Sequence, residues 1–470
     1  MKTLTRIKVE DFRPQLDHFF GISGPKIREL KRVWKLERGA PVCTRHGKYT
    51  TRGWTEWTQG FLYGCRILQF DATGDEELLD SGRKDTLTFM APHVTHIGVH
   101  DHGFNNLSTY GNLRRLALEG RTGDSEELIR LYELAIQTSG AVQASRWTPL
   151  ARGGGFIHSF NGPHSLFVDT IRSCRILVLA HLLGHILMGE NDKPISLLGR
   201  AAAHISATLL YNVYYGKARD RYDVPGRVVH ESIFNVKDGN YRCPSTQQGY
   251  SPFTTWTRGL AWAVLGFAEQ LEFFEELDHY LDEVPDRLYF HKTLVEGAKA
   301  TADFYIDNTP MDGIPYWDTG APGLAYMGDY LNRPAEPDND YEPVDSSAAA
   351  IAAQGLLRLG KCLGIAGEGK RYYKAGLLVA RTLFSAPYLS EDMKHQGLLL
   401  HSIYHRPNGW DCMPKGKKVP QGEASMWGDY HLMELAVYLQ RLLDKKPYLK
   451  FYAFPEPQGR RCARDYFQEA

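Results

Sequence analysis

Apolar residues recur at helical spacing between Thr254 and Glu269, and this stretch is the clearest element of the chain. The apolar positions that repeat every three or four residues are Leu260, Ala261, Val264, Leu265 and Ala268. Thr255 or Thr257 is the predicted N-cap, because threonine accepts hydrogen bonds from the first free amides of a helix. Small residues such as Gly259 and Gly266 allow neighbouring helices to approach closely. The pattern predicts a buried helix that begins near Thr257.

A polar or acidic cluster followed by an apolar helix rich in small residues occurs six times along the chain. The six predicted starts lie at Trp57, Asp101, Asp169, Thr257, Asp345 and Trp427. Each interval is long enough for one helix, a returning helix and loops, and such repetition indicates a repeated architecture. We therefore expect an all-α fold, an (α/α)6 barrel of six inner and six outer helices whose long loops form one pocket. No Ser/Gly-rich or charged linker divides the repeats, so residues 1–470 are predicted to form a single domain.

The segments between these starts carry the remaining predicted elements. Outer helices are predicted over residues 12–35, 76–89, 124–137, 195–215, 291–307 and 368–383. Alternating polar and apolar residues predict short strands within 153–160 and 397–405, whereas 42–53 and 228–250 are expected to be loops. Asp124 is the predicted N-cap of its helix, and Asp345 and Asp429 are expected to be caps as well.

Composition excludes several classes of protein. Lysine plus arginine equals aspartate plus glutamate at 55 residues each, and a nucleic-acid-binding protein would show a basic excess. The seven cysteines are odd in number and lack C-x-x-C spacing, so neither a disulfide framework nor a zinc site is indicated. No apolar run typical of a signal peptide or a membrane span occurs. We expect a soluble cytoplasmic protein, monomeric or weakly homo-oligomeric, with neither nucleic acid nor membrane as a partner.

Two indoles and a guanidinium cluster at the mouth of the central helix. Trp256, Arg258 and Trp262 stand where a core helix normally carries aliphatic residues. Indoles stack on the faces of sugars, arginine binds carboxylates through two parallel hydrogen bonds, and a helix N-terminus favours anions. The cluster suits a polar, ring-shaped, anionic ligand. The alternative is a well-packed helix start with one solvated arginine.

Motifs spread over residues 57–443 carry a resemblance to a known family. They are W-T-Q-G-F, H-D-H-G-F, the Asp169 helix, His230 with Gln248 before W-T-R-G-L-A-W, P-Y-W-D-x-x-A-P, D-S-S-A-A-A-I-A-A-Q-G-L-L and W-G-D-Y. Together they resemble the unsaturated glucuronyl hydrolases of glycoside hydrolase family 88. The resemblance implies an (α/α)6 barrel and the hydration of a vinyl ether in lyase-generated oligosaccharides. An aspartate protonates C4 of a non-reducing-end 4,5-unsaturated uronic acid and activates water for C5, and the hemiketal then releases the aglycone sugar.

The resemblance also implies roles for individual residues. Asp169 is the expected acid/base and Asp101 its partner carboxylate. The expected substrate-binding residues are Trp57, His230, Gln248, Trp256, Arg258 and Trp262. A general acid at neutral pH needs a pKa well above the ordinary aspartate value of about 3.9, through burial or a nearby like charge. The alternative from the residues alone is that Asp101 and Asp169 are N-caps.

Two departures from the family pattern bear on specificity. Gly320 stands in W-D-T-G-A-P where the family usually has a second acid, which predicts an altered preference for the leaving sugar. His102 follows Asp101 where the family often has an aliphatic residue.

The other histidines of the chain suggest no metal site, and other functions are compatible with the same residues. His100, His102, His158 and His164 lack the helix spacing of a zinc site, so neither a metal nor another cofactor is expected. These histidines are expected to form hydrogen bonds to sugar hydroxyls or to anchor loops. His401 and His405 are expected at the pocket edge or in structural roles. Three alternative functions stay open: an unsaturated rhamnogalacturonyl hydrolase with the same chemistry, a sugar epimerase or isomerase that uses His230 and another histidine as its pair of bases, and an inactive sugar-binding toroid.

Overall fold

The structure is a computed structural model that describes residues 1, 6–53, 56–447 and 450–452. Its α-helices are, in chain order, α1 (Arg13–Val33), α2 (Gln59–Thr73), α3 (Glu76–Phe89), α4 (Ala91–Val94), α5 (His102–Asn106), α6 (Asn112–Leu118), α7 (Glu126–Ser145), α8 (Thr170–Ser173), α9 (Arg175–Leu182), α10 (Leu197–Tyr211), α11 (Thr257–Glu276), α12 (Arg287–Asp307), α13 (Ser346–Cys362), α14 (Lys370–Leu383) and α15 (Met426–Leu443). A π-helical turn, Leu107–Gly111, joins α5 to α6.

Six inner units, each a single helix or a pair of consecutive helices, form a closed ring. In order around the ring they are α2, α5 with α6, α8 with α9, α11, α13 and α15, and α15 packs back against α2. The helices α1, α3, α7, α10, α12 and α14 pack against the outside of this ring. The predicted all-α (α/α)6 barrel is therefore confirmed.

Close contact between inner helices depends on small residues, as the sequence predicts. A Cβ atom on Gly355 of α13 would lie only 2.7 Å from the backbone of Leu265 on α11. A Cβ atom on Gly103 of α5 would lie 2.1 Å from the carbonyl oxygen of Ser173 on α8. Larger side chains at these two positions would force the neighbouring helices apart, because protein interiors are close-packed.

Several helix caps differ from the prediction by one residue or more. Ser125, and not Asp124, caps α7 by accepting a hydrogen bond from the amide of Leu128. Helix α11 has Trp256 at its N-cap position without a side-chain cap, so neither Thr255 nor Thr257 plays that part.

Of the other two predicted caps, one is confirmed and one is wrong. Asp345 caps α13 as predicted, by accepting from the amides of Ser347 and Ala348. Ser425 caps α15, and the prediction for Asp429 is wrong.

Nine short strands lie in the loops of the described chain. They are β1 (Cys43–Arg45), β2 (Lys48–Thr50), β3 (Trp147–Pro149), β4 (Gly155–Ile157), β5 (Ser165–Phe167), β6 (Leu187–Met188), β7 (Pro194–Ile195), β8 (Glu231–Phe234) and β9 (Tyr241–Ser245). They pair antiparallel as β1 with β2, β3 with β4, β6 with β7, and the central β8 with both β5 and β9. Residues 42–53 and 228–250, expected to be loops, thus contain strands.

The strand predicted within 397–405 does not form. The amides of Leu398 and Leu399 donate to the carboxylate of Asp429, at 2.9 and 2.8 Å, and so are not free for a continuous ladder. Only single bridges remain there, between Leu389 and Leu399 and between Leu400 and Ala424. Within the described residues, no helix is long and apolar enough to cross a membrane.

Candidate active site

The starts of four inner helices open onto one cavity of about 420 Å³. The predicted site residues that line it are Trp57, Asp101, Asp169, Gln248, Trp256, Arg258 and Trp262. The expectation that all six helix starts line the pocket is wrong for α13 and α15. Asp345 and Trp427, at those two starts, lie behind the wall, where Asp345 binds Arg258 and Trp427 stacks on Trp57.

Asp101 and Asp169 come together around His100, for which the sequence suggested sugar binding or loop anchoring and no contact with the two aspartates. Nε2 of His100 lies 3.5 Å from Oδ2 of Asp169 and 3.8 Å from Oδ1 of Asp101. Both aspartates occupy N-cap positions, of α5 and α8, yet neither side chain accepts a hydrogen bond from its helix. Oδ1 of Asp169 is buried and has no hydrogen-bond partner among the described residues. Neither carboxylate therefore acts as a helix cap.

The two carboxylates have opposite electrostatic environments. Burial raises the pKa of Asp101, although the charge of His100 opposes the shift. Burial also acts to raise the pKa of Asp169, but the hydrogen bond and charge of His100, together with the charge of His230, outweigh it and hold that pKa below its ordinary value. The expectation that Asp169 has a raised pKa is wrong for this ligand-free structure, because His100 donates to it. Paired carboxylates with separated pKa values are typical of acid/base sites.

Arg258 lines the cavity but is bound by the protein itself. Its side chain is buried, and its four terminal N–H groups donate to Asp345 Oδ2 (2.9 Å), Ile403 O, Gln248 Oε1 (2.8 Å) and Tyr404 O (2.7 Å). Its guanidinium also lies 4.6 Å from the ring of Trp256 and 5.0 Å from that of Trp427. The free guanidinium expected to bind a ligand carboxylate is therefore not present, because Asp345 neutralises the charge.

The side-chain amide of Gln248 is oriented by this arginine. Its Oε1 accepts from Arg258, so the amide NH₂ group is directed elsewhere, and it forms no hydrogen bond with another described residue. Gln248 lines the cavity. The amide is thus a neutral donor available to a ligand.

His230 lies behind the cavity wall and does not line it, contrary to the prediction. Its Nδ1 accepts hydrogen bonds from the amides of Gln247 (3.0 Å) and Gln248 (3.4 Å), which places its proton on Nε2. Its ring packs against Phe167 at 4.4 Å and Trp256 at 4.7 Å, and burial lowers its pKa. His230 supports the loop that carries Gln248.

Aromatic residues form much of the wall. Trp57 stacks on Trp427 with ring centroids 5.2 Å apart, and Trp262 packs on Phe104 at 4.7 Å. His100, which directly precedes Asp101 in H-D-H-G-F, also lines the cavity. The sequence assigned no role in the site to four further lining residues, Phe160, Phe167, Gln247 and Tyr404. Nothing in the local pattern marks Phe167.

The segment that contains Gly320 supports the mouth of α11. The amide of Thr257 donates to Trp317 O (3.0 Å) and that of Thr319 to Thr255 O (2.9 Å). A Cβ atom on Gly320 would lie 2.1 Å from Cγ2 of Thr254, so the close approach leaves no room for a side chain.

Asp318 fastens the same segment to the loop that follows Gln248. Its carboxylate accepts from the amides of Tyr250 and Gly320, both at 2.9 Å. Burial raises the pKa of Asp318 to about 6.

Of the remaining histidines, some line the cavity and others hold the surrounding structure in place. His405 lines the cavity and His401 does not. His102 bonds to Ser139 Oγ (2.7 Å) and to the carbonyl of His96 (3.0 Å), which fixes the start of α5. The described residues contain no group of three or more His, Cys, Asp or Glu suited to hold a metal ion.

Comparison with known proteins gives matches over nearly the whole chain. It is 26% identical over 434 residues to the unsaturated glucuronyl hydrolase of Bacillus sp. strain GL1, a match that covers 89% of this chain and 94% of that protein. It is 23% identical over 455 residues to the unsaturated chondroitin disaccharide hydrolase of Streptococcus pyogenes serotype M1, covering 95% and 97%. The chain is a relative of the unsaturated glucuronyl hydrolases. The resemblance drawn from its motifs is thus confirmed, although no protein-family model matches the chain.

Solved structures of unsaturated glucuronyl hydrolases share the fold. The enzyme from Bacillus sp. GL1 superposes with a TM-score of 0.66 at 22% identity, covering 91% of this chain and 97% of that one. The enzyme from Streptococcus agalactiae gives a TM-score of 0.68 at 21% identity, covering 96% and 95%.

Proposed function

We propose that this protein hydrates the C4=C5 double bond of a 4,5-unsaturated uronic acid at the non-reducing end of an oligosaccharide and so releases the attached sugar. The observation that carries the proposal is the meeting of Asp101 and Asp169 around His100 in an aromatic cavity of about 420 Å³. A cavity of this size suits one or two sugar rings. The relatives are named as an unsaturated chondroitin disaccharide hydrolase and an unsaturated glucuronyl hydrolase, which supports an unsaturated sugar as the substrate.

In this proposal Asp169 is the acid/base and Asp101 its partner. Asp169 gives a proton to C4, and its carboxylate then takes a proton from the water that adds to C5. The hemiketal opens and the aglycone leaves, so one water is consumed and the carboxyl group is regenerated. Asp169 is ionised in the ligand-free site, and the incoming uronate adds a negative charge that raises the pKa of nearby carboxyls. Substrate binding therefore favours the protonated form that the reaction needs.

The substrate carboxylate is held by neutral donors and not by Arg258. The NH₂ group of Gln248 is the assigned donor, because Arg258 occupies its oxygen. Trp57, Trp256 and Trp262 supply apolar wall for the sugar ring. Arg258 and His230 act indirectly, by fixing Gln248 and its loop.

The epimerase alternative is weakened by the position of His230. A base that removes a proton from a bound sugar must reach into the cavity. His230 does not line the cavity, and its Nδ1 lone pair already accepts two backbone amides. One of the two histidine bases that this alternative requires is therefore occupied.

The test is the ultraviolet absorbance of the conjugated enol ether in a panel of unsaturated disaccharides of chondroitin and heparin type, with and without sulfate. Hydration removes this absorbance, and the rates across the panel identify the preferred aglycone. Binding of a disaccharide without loss of absorbance would support the inactive sugar-binding toroid. If no disaccharide of the panel either binds or loses its absorbance, the proposed substrate class is rejected.

The same proposal covers the chain as a unit. Because the inner ring closes with α15 against α2, we propose that residues 1–470 act as one catalytic domain. The cytoplasmic location and the monomeric or weakly oligomeric state stay predictions.

A further inference from the structure

His100 has an unusual set of neighbours for a buried histidine. Its Nε2 faces carboxylate oxygens of both Asp101 and Asp169, and its Nδ1 is buried without a hydrogen-bond partner among the described residues. The ring lies parallel to Phe160, at 6.1 Å and 9°, and meets the edge of Phe167 at 5.6 Å. It lines the cavity together with both aspartates. Its carbonyl accepts from Ser173 Oγ at 2.6 Å, which holds its backbone in place.

We propose that His100 is the positioning residue that stores the catalytic proton: as an imidazolium it bridges the two carboxylates and passes its proton to Asp169 when the anionic substrate binds. This inference rests on the proposed function. A neutral imidazole would present at most the same Nε2–H to the two carboxylates but no positive charge, so two buried anions would be left without compensation. An imidazolium between them offsets both.

The charged groups around His100 favour its protonated form. Burial acts to lower its pKa, but Asp101 and Asp169 outweigh burial and raise it. Arg146 opposes them, yet its guanidinium is engaged by backbone carbonyls of Ile97, His158 and Ser159.

The other titratable groups near His100 are histidines. His158, His204 and His230 each have a pKa lowered by burial, and His100 itself contributes to that shift. His96 acts on Asp101. The positive charge therefore resides on His100, the histidine placed against both carboxylates.

The proton balance closes over one turnover. His100 Nε2 transfers its proton to Asp169 Oδ2, and Asp169 transfers it to C4. Asp169 then receives a proton from the water that adds to C5 and returns it to Nε2 of His100 after the product leaves. No oxidant, reductant or further reactant is needed.

The test compares His100→Gln with His102→Gln. Glutamine retains an N–H donor but cannot hold the extra proton. In the wild type the basic limb reports loss of the proton held by His100, and the ordinary pKa of a histidine is about 6.5; in His100→Gln that proton can be held only by a carboxyl, with an ordinary pKa of about 3.9. We expect the basic limb of the kcat/KM profile to move to lower pH by at least about one unit, with a fall in kcat of about 10- to 100-fold at neutral pH and little change in KM.

His102→Gln is the matched control, two residues along the same helix start. His102 is buried and bonded to Ser139 and His96, and it does not line the cavity. It should lower the thermal midpoint without moving either limb of the profile. A His100→Gln enzyme with the wild-type limbs would overturn the proposal.

A measurement on the folded wild-type protein separates this proposal from the proposed function. Histidine ring nitrogens titrated by NMR should show His100 doubly protonated well above the ordinary pKa of about 6.5, and Asp169→Asn should lower that midpoint. A His100 that is neutral at pH 6.5, or unaffected by Asp169→Asn, refutes the proton store even if hydration is observed. If His100 is charged but the protein hydrates no disaccharide, the imidazolium bridge is supported and the proposed reaction is refuted.

Discussion

Removing the side chain of Arg258 should destabilise the protein more than it weakens substrate binding. Arg258 is buried and donates four hydrogen bonds, one of them to the fully buried carboxylate of Asp345. Breaking a buried ion pair by deleting one partner costs about 3–5 kcal/mol, because the remaining charge is left without compensation. A direct contact to a substrate carboxylate would cost about 1.5–3 kcal/mol, seen in KM alone. We expect the larger figure, in the free energy of unfolding.

The experiment is urea unfolding of Arg258→Ala, Asp345→Asn and the double variant, with KM measured on each folded protein. The double variant should lose less than the sum of the single variants, since neither charge is then left alone. Asparagine at position 345 can still cap α13, so the cap is not lost with the charge.

Gln248→Ala is the companion variant for the binding step. It should raise KM while leaving the free energy of unfolding nearly unchanged, because Asp345 still neutralises Arg258. An Arg258→Ala protein of wild-type stability with a raised KM would refute this reasoning and restore the direct contact.

Three further outcomes follow from the same site. Trp57→Ala should raise KM for an unsaturated disaccharide by about 2- to 12-fold, since an aromatic contact contributes about 0.5–1.5 kcal/mol beyond its buried area; an unchanged KM would remove Trp57 from the wall. Gly320→Ala should lower the free energy of unfolding in urea by about 1–3 kcal/mol, because its Cβ meets Thr254, and equal stability would show that the loop yields freely. Asp318 has a folded pKa of about 6 against an ordinary 3.8, so its contribution to stability is complete below about pH 4 and is lost, by roughly 3 kcal/mol, as pH rises through about 6. Asp318→Asn should flatten that part of the stability curve, and an unaltered slope would contradict the shift.

The barrel was predictable because its signal is local and repeated. Each inner helix carries its own apolar period and small residues, so α2, α11, α13 and α15 could be located from short windows of sequence. The pairing of Asp101 with Asp169 followed from the ring, since consecutive helix starts become neighbours.

The finer parts of the site depend on partners far apart in the chain. The sequence predicts a free Arg258 guanidinium, because its partners Asp345 and the carbonyl of Ile403 lie much later in the chain. Asp429 looked like a cap because Ser425, four residues earlier, was not recognised. Whether His230 enters the cavity depends on the backbone amides that fill its Nδ1, which no local pattern shows.

The central claim is tested most directly by kcat and the thermal midpoint measured together on Asp169→Asn with an unsaturated disaccharide. Asparagine preserves the shape of the side chain but cannot transfer a proton. Asp169 caps no helix through its side chain, so the fold should be retained. The account predicts a fall in kcat of at least about 10²–10⁴ with a thermal midpoint close to that of the wild type. An Asp169→Asn enzyme that removes the ultraviolet absorbance of the disaccharide at the wild-type rate would contradict it.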